Sequence, residues 1–279
     1  MSKPSERHGV RRYENGRLAP PADDLLAAEE PLEIRVRGRA VSVTMRTPGH
    51  DEELVAGFLV GEGIIRRRED VEAIRRCPHA SGGGVLDVLI APGVAFDVEA
   101  LTRHVFASSS CGVCGAATLD ALRKRFAPLD QGPVIAAHAL LAMPLALRAV
   151  QATFEETGGL HAAGLFDAAG RLMLSREDVG RHNAVDKVVG HALLAGRLPL
   201  SSHVLLVSGR ASFELVQKAI LAGIPLLAAV GAPSSLAAEL AREFDTTLLG
   251  FVRDGRFNVY AGEWRIEAPN GHNGGGASP

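Results

Sequence analysis

Cysteine is scarce in this 279-residue chain, which carries only Cys77, Cys111 and Cys114. Three thiols are too few for a disulfide scaffold, and a close pair in a reducing compartment is more often chemical or metal-binding than structural. Lysine is nearly absent too, confined to Lys3, Lys124, Lys187 and Lys218, so the basic residues are almost all arginine. The arginine fork suits phosphate, but a GC-rich genome that also favours Ala and Gly explains the bias equally well. Charge of either sign is not in excess: the formal net charge is −2, so no basic field steers the chain onto nucleic acid. No uninterrupted apolar run of about 18 residues is present, which argues against a membrane span. Residues 1–21 are polar, rich in Arg and Pro, and lack the apolar centre of a secretory signal, so the compartment expected is the cytoplasm.

What is present is enough for a folded body. Hydrophobic residues make up 47% of the chain, sufficient for one large domain or two small ones. Residues 1–30 read as a flexible arm and 266–279, rich in Gly and Asn, as a disordered tail. Ile34, Val36, Val41 and Val43 alternate with polar residues around Gly38-Arg39, a hairpin signal. Thr47-Pro48 is expected to open a helix with Pro48 at its first position, carrying Leu54, Val55, Phe58 and Leu59 and closing at Gly61 and Gly63. A strand is expected over 85–90, a helix over 116–126, and a second helix from Pro144 to Gly158-Gly159. The last third alternates: strands at 160–167, 171–174, 204–207, 226–230 and 247–252, with helices at 183–194, 211–221 and 235–244. Such alternation favours an α/β fold with a mostly parallel sheet covered by helices.

Ser108-Ser109-Ser110-Cys111-Gly112-Val113-Cys114-Gly115 is the most informative stretch. The thiolate is the nucleophile, and a helix N-terminus lowers the thiol pKa. The pair precedes an expected helix, and Gly112 and Gly115 leave room for a large reactant. Four chemistries use such a pair. A zinc site needs four ligands, and the chain has no second Cys-x-x-Cys to supply them. A thioredoxin-like redox site uses Cys-Gly-x-Cys, though here the pair lies over a hundred residues into the chain and follows serines. A zinc deaminase needs His-x-Glu beside the pair, and the nearest match, His161-Ala162-Ala163, has Ala163 in place of the carboxylate. A persulfide relay needs one accessible low-pKa thiol and, optionally, a second to resolve it. The motif alone does not choose among them.

Ser208-Gly209-Arg210 follows an expected strand and opens an expected helix, a geometry that suits a phosphate, and Gly231-Ala232-Pro233-Ser234-Ser235 repeats it. Neither is a P-loop, and an ordinary strand-to-helix turn reads the same way. Arg210, Arg253 and Arg256 are the candidates for charge-assisted phosphate contacts. His161 and His182 are candidates for lining the cleft, Asp178 for capping the following helix, and Arg66-Arg67-Arg68 for a solvated face.

Several segments together resemble the formate dehydrogenase accessory sulfurtransferase family of FdhD/NarQ type. They are 47–54 (Thr-Pro-Gly-His-Asp-Glu-Glu-Leu) with Gly57-Phe58-Leu59, then 109–115, Gly158-Gly159-Leu160-His161-Ala162-Ala163, and 177–187 (Glu-Asp-Val-Gly-Arg-His-Asn-Ala-Val-Asp-Lys). Val207-Ser208-Gly209-Arg210 and 251–260 complete the set, which spans about residues 31 to 262. The resemblance implies a sulfur carrier that takes persulfide sulfur from a cysteine desulfurase. It passes that sulfur to the molybdenum bis(molybdopterin guanine dinucleotide) cofactor needed by formate dehydrogenase. By the match, Cys111 is the persulfide cysteine and Cys114 its partner. Phe251, Val252, Arg253, Asp254, Gly255 and Arg256 then fall on the segment linked to cofactor binding. Ser208, Gly209, Arg210 and His182 join them as candidate contacts to the guanine-nucleotide moiety. The resemblance further implies a cytidine deaminase-like layered domain over 106–265, a smaller α+β subdomain over 31–105, a homodimer, and no tightly held metal. The competing reading is a non-catalytic chaperone that holds and escorts the cofactor.

Overall fold

The computed structural model describes residues 3–77, 84–96, 128–129 and 132–267. Cys111, Cys114, the helix expected over 116–126, and residues 268–279 lie outside them.

The small sheet begins with β5 (Glu30–Val36), where Leu32, Ile34 and Val36 are fully buried and Glu33 and Arg35 are not, a period of two that faces one side to a core. It turns into β6 (Arg39–Arg46) through Arg37-Gly38, both at positive φ (49° and 77°). The turn therefore sits one residue earlier than expected, because a tight hairpin needs two left-handed residues to match the strand twist. With β7 (Val71–Arg76) and β8 (Gly84–Ile90) the order is β6-β5-β8-β7. Residues 1–30, expected as a flexible arm, instead contain paired strands: β1 (Ser5–Val10) against β4 (Ala22–Ala27), capped by β2 (Tyr13–Glu14) and β3 (Arg17–Leu18).

Helix α1 (Asp51–Gly61) starts three residues after Pro48. Gly49 (φ 108°) and His50 (φ 58°) turn the chain first, so Pro48 belongs to the approach and not to the helix. The helix expected from Pro144 is two: α2 (Ala137–Arg148), with Pro144 in its interior, and α3 (Ala152–Thr157), ended by Gly158 in the left-handed region. A short pairing of β9 (Ile135–Ala136) with β16 (Ile266–Glu267) ties this region to the chain end.

The large sheet comprises β10 (His161–Phe166), β11 (Leu172–Asp178), β12 (Val204–Val207), β13 (Leu226–Ala229), β14 (Thr247–Arg253) and β15 (Arg256–Ala261), in the order β11-β10-β12-β13-β14-β15. Only β12-β13-β14 run parallel. Hairpins β10–β11 and β14–β15 add antiparallel pairings at the edges, so the sheet is mixed and not mostly parallel. Helices α4 (Arg181–Leu194), α5 (Phe213–Leu221) and α6 (Ser235–Glu243) complete the body. Val204 and Leu206 face the α2 side, while Leu205 and Val207 face the side of α4, α5 and α6. The latter core is continuous with the small sheet, since Leu32, Ile34, Leu86 and Val88 belong to it.

Helix α1 joins the two sheets through α4. A Cβ on Gly57 would lie 1.8 Å from the Asp186 carbonyl oxygen, and one on Gly190 1.8 Å from that of Glu53. Each helix thus needs a glycine where the other's backbone crosses. No helix among the described residues is long and apolar enough to cross a membrane.

Candidate functional site

The site begins with a brace. Asp178, wholly buried at the end of β11, accepts through Oδ1 from the Gly180 amide (2.9 Å) and Asn183 Nδ2 (2.9 Å). Its Oδ2 accepts from the Thr47 amide (3.2 Å) and pairs with Lys187 Nζ at 2.6 Å. Lys187 also donates to the Thr47 carbonyl (3.0 Å), and the Val179 amide donates to Thr47 Oγ1 (3.1 Å). The 177–187 string is thus a splice between the approach to α1 and the start of α4. Asp178 is not the helix cap expected from the sequence; it lies two residues before the N-cap, Gly180, and α4 has no side-chain cap.

The splice sets the first turn of α4 beside the segment that follows β12, with Arg181 near Gly209 and His182 on Ser212; open α/β sheets receive ligands outside the carboxyl ends of their strands. Ser208 extends the β10–β12 pairing: its amide donates to the Ala162 carbonyl (2.9 Å) and its Oγ accepts from the Ala162 amide (2.9 Å). A Cβ on Gly209 would stand 3.4 Å from His161 Nδ1 and 4.0 Å from Arg181 Cδ. The Gly231 amide donates to the Gly209 carbonyl (2.9 Å), and the Phe251 amide to the Gly231 carbonyl (3.1 Å). The turns after β12 and β13 and the bulge in β14 are therefore stitched into one rim. Phe251 pays for its place with φ 55°, a left-handed conformation costing a non-glycine residue about 1 kcal/mol. Ser234 caps α6 by accepting from the Ala237 amide (3.2 Å), so its hydroxyl is already engaged.

The sequence-derived candidates separate accordingly. Ser208, Gly209, Arg210 and Phe251 share the rim. His182, in the first turn of α4, meets its far side through Ser212. Arg253, Asp254, Gly255 and Arg256 form the exposed β14–β15 turn, with the Arg253 guanidinium 5.7 Å from the Phe251 ring centroid. Val252 is fully buried in the core against α2, so its side chain supports the hairpin from beneath. Cys111 and Cys114 lie outside the described residues. Ala163, where a deaminase motif would need a carboxylate, packs in the core.

Two electrostatic features mark the rim. His182 Nε2 is 3.1 Å from Ser212 Oγ and 3.6 Å from Glu214 Oε2. The adjacent His182 imidazole is the chief reason that the Glu214 carboxyl is drawn down to about 2. His161, half-buried, is pushed below the ordinary imidazole range, first by burial and then by Arg181 and His182. Arg181 was not among the sequence-derived candidates; its only signal was its place inside the 177–187 string. Its Nε is buried and has no hydrogen-bond partner among the described residues. Among the described residues no group of three or more His, Cys, Asp or Glu side chains is arranged to hold a metal ion.

The FdhD/NarQ family profile matches residues 27–267. The chain is 54% identical to a sulfur carrier protein FdhD of Streptomyces avermitilis, over 95% of this chain and 97% of that one. It is 54% identical to the protein of the same name from Mycobacterium tuberculosis, over 87% and 92% respectively. A crystal structure of a candidate formate dehydrogenase accessory protein from Desulfotalea psychrophila superposes with a TM-score of 0.75 at 29% identity, covering 94% of this chain and 99% of that one.

Proposed function

The chain belongs to the FdhD/NarQ family, and from that premise we propose that it is a sulfur carrier serving formate dehydrogenase maturation, with Cys111 as the sulfur-bearing residue. In this reading the Cys111 thiolate attacks the outer sulfur of a cysteine desulfurase persulfide. The donor cysteine leaves as a thiolate, and Cys111 holds S–SH. The outer sulfur then passes to the molybdenum of the bis(molybdopterin guanine dinucleotide) cofactor, which is the substrate. The metal supplies two electrons, the sulfur becomes a sulfido ligand, and Cys111 leaves again as a thiolate. Cys114 either resolves the persulfide or shapes the loop.

The observation that carries the nucleotide half of this reading is the rim itself. Ser208, Gly209 and Arg210 are joined through Gly231 to Phe251 at the carboxyl end of the parallel strands, a placement suited to phosphates. His182 borders it, and Arg253 and Arg256 extend it along the hairpin. The same reading takes the six-stranded sheet with helices on both faces as a relative of the cytidine deaminase layer, and the working form as a cytoplasmic homodimer.

The test is incubation of the full chain with a cysteine desulfurase and cysteine, followed by peptide mass spectrometry. The peptide containing Cys111 gains the mass of one sulfur atom, reversibly with a thiol reductant, and the Cys111→Ala variant gains none. An unmodified Cys111 overturns sulfur transfer and leaves an escort that only holds the cofactor. Full formate dehydrogenase activation by Cys111→Ala, with loss in Cys114→Ala, reverses the roles of the two thiols.

A further inference from the structure

Around Gly209 the described residues collect positive charge without balancing it. Arg181 makes no hydrogen bond or ion pair with any described residue, and its Nε is buried. The Arg210 guanidinium likewise has no hydrogen-bond or ion-pair partner among the described residues, and its stem packs against Gly231, whose Cβ position is 3.1 Å from Arg210 Cα and Cγ. His161 also faces Gly209, with Nδ1 3.4 Å from the Cβ position that lies 4.0 Å from Arg181 Cδ. The carboxylates nearby are committed elsewhere: Asp178 to Lys187, Thr47, Gly180 and Asn183, and Glu214 to His182. A buried guanidinium nitrogen with no acceptor is costly unless a ligand supplies one.

We propose that Arg181 and His161 form an oxyanion site over Gly209, taking a phosphate-class group, and that the anion enters together with one proton carried by His161. This rests on the nucleotide half of the proposed function and assigns it two residues. The absence of a side chain at Gly209 lets a ligand oxygen approach the backbone between them. Arg181 supplies the fixed charge and directional N–H groups. The groups facing His161 are Arg181 and His182 from α4 and Asp178 from β11. Burial first, and then Arg181 and His182, push the free imidazole below its ordinary range, while Asp178, paired with Lys187, is the smallest influence and the opposing one. An arriving anion cancels the Arg181 field, so the imidazole takes a proton from solvent and becomes a second donor. Affinity then falls as pH rises.

Titration calorimetry of the full chain with inorganic pyrophosphate, in buffers of different ionisation enthalpy, tests this. The wild-type chain binds with net proton uptake near neutral pH, and more weakly as pH increases. Arg181→Gln loses about tenfold or more in affinity, the value of one charge-assisted hydrogen bond, and Arg181→Lys loses less. His161→Gln keeps measurable binding but loses the proton uptake, a change that a merely structural role would not produce. Arg242→Gln, an exposed change in the last turn of α6, controls for bulk charge. No pyrophosphate binding by the wild-type chain, equal binding by Arg181→Gln, or proton uptake that persists in His161→Gln each overturns the proposal. Sulfur loading of Cys111 is read separately, so a failure here does not mimic a failure of sulfur transfer.

Discussion

At the scale of single residues, the decisive contact is the one between Lys187 and Asp178. Both side chains are withdrawn from solvent, with exposures of 1% and 0%, and removing two charges from water costs several kcal/mol per ion before their attraction is counted. The pair survives because its remaining valences are filled: Asp178 accepts three further N–H groups, and Lys187 donates to two carbonyls. Its contribution is therefore positional, fixing where α4 begins and so where Arg181 and His182 point. Lys187→Met leaves the carboxylate buried without its cation and is expected to cost about 3–5 kcal/mol, measured by urea denaturation. Adding Asp178→Asn to Lys187→Met removes the orphaned charge, so the double variant is less destabilised than the sum of the single ones. A loss under about 1 kcal/mol in Lys187→Met would show that water or a neighbouring group replaces the cation, against the burial described.

At the scale of elements, the crossing of α1 and α4 sets the architecture, and two opposing effects meet at its glycines. Alanine is favoured over glycine in a helix by about 1 kcal/mol, so either substitution should stabilise an isolated helix. In the folded chain a Cβ at Gly57 or Gly190 would stand 1.8 Å from a backbone carbonyl oxygen, and backbone cannot rotate away as a side chain can. Overpacking of this kind costs about 3 kcal/mol or more, so Gly57→Ala and Gly190→Ala are expected to destabilise, while Gly93→Ala, with nothing within 4 Å, stays near zero. Chemical denaturation of the three variants checks the order. The same crossing shows what the sequence could reveal. The buried runs at β12 and β13 and the periodic helices α4, α5 and α6 were legible, because their signal lies within a few residues. The need for Gly57 was not, because its partner is Asp186. Pro144 read as a helix start although it sits inside α2, and the hairpins that make the sheet mixed depend on pairing across its edges. At the site, Ser208, Gly209, Arg210 and His182 could be found from strand-to-helix punctuation and motif. Arg181 could not, since an arginine with no partner among the described residues is recognisable only once its surroundings are known.

At the scale of the molecule, the question is whether the small sheet folds as a unit of its own. The sequence suggested a subdomain over 31–105, yet its buried face and the α4–α5–α6 face of the large sheet belong to one apolar cluster, with α1 between them. Separating the halves would expose Leu54, Val55 and Leu59 of α1 together with Val185, Val188 and Val189 of α4, all at 0–1% exposure. Full burial of one such aliphatic side chain is worth about 1.5–3 kcal/mol, so opening this interface alone would consume a stability of the size usual for a whole domain, about 5–15 kcal/mol. We therefore expect a single cooperative transition. The chain carries one tryptophan, Trp264, on the turn after β15 and remote in sequence from the small sheet. Its fluorescence reports the large-sheet side, while far-ultraviolet circular dichroism reports all elements. The two denaturation curves should coincide in midpoint and slope. A circular dichroism transition that begins before the fluorescence changes would mean that the small sheet comes away first, and that the α1–α4 crossing is a docking contact between two independently folded parts.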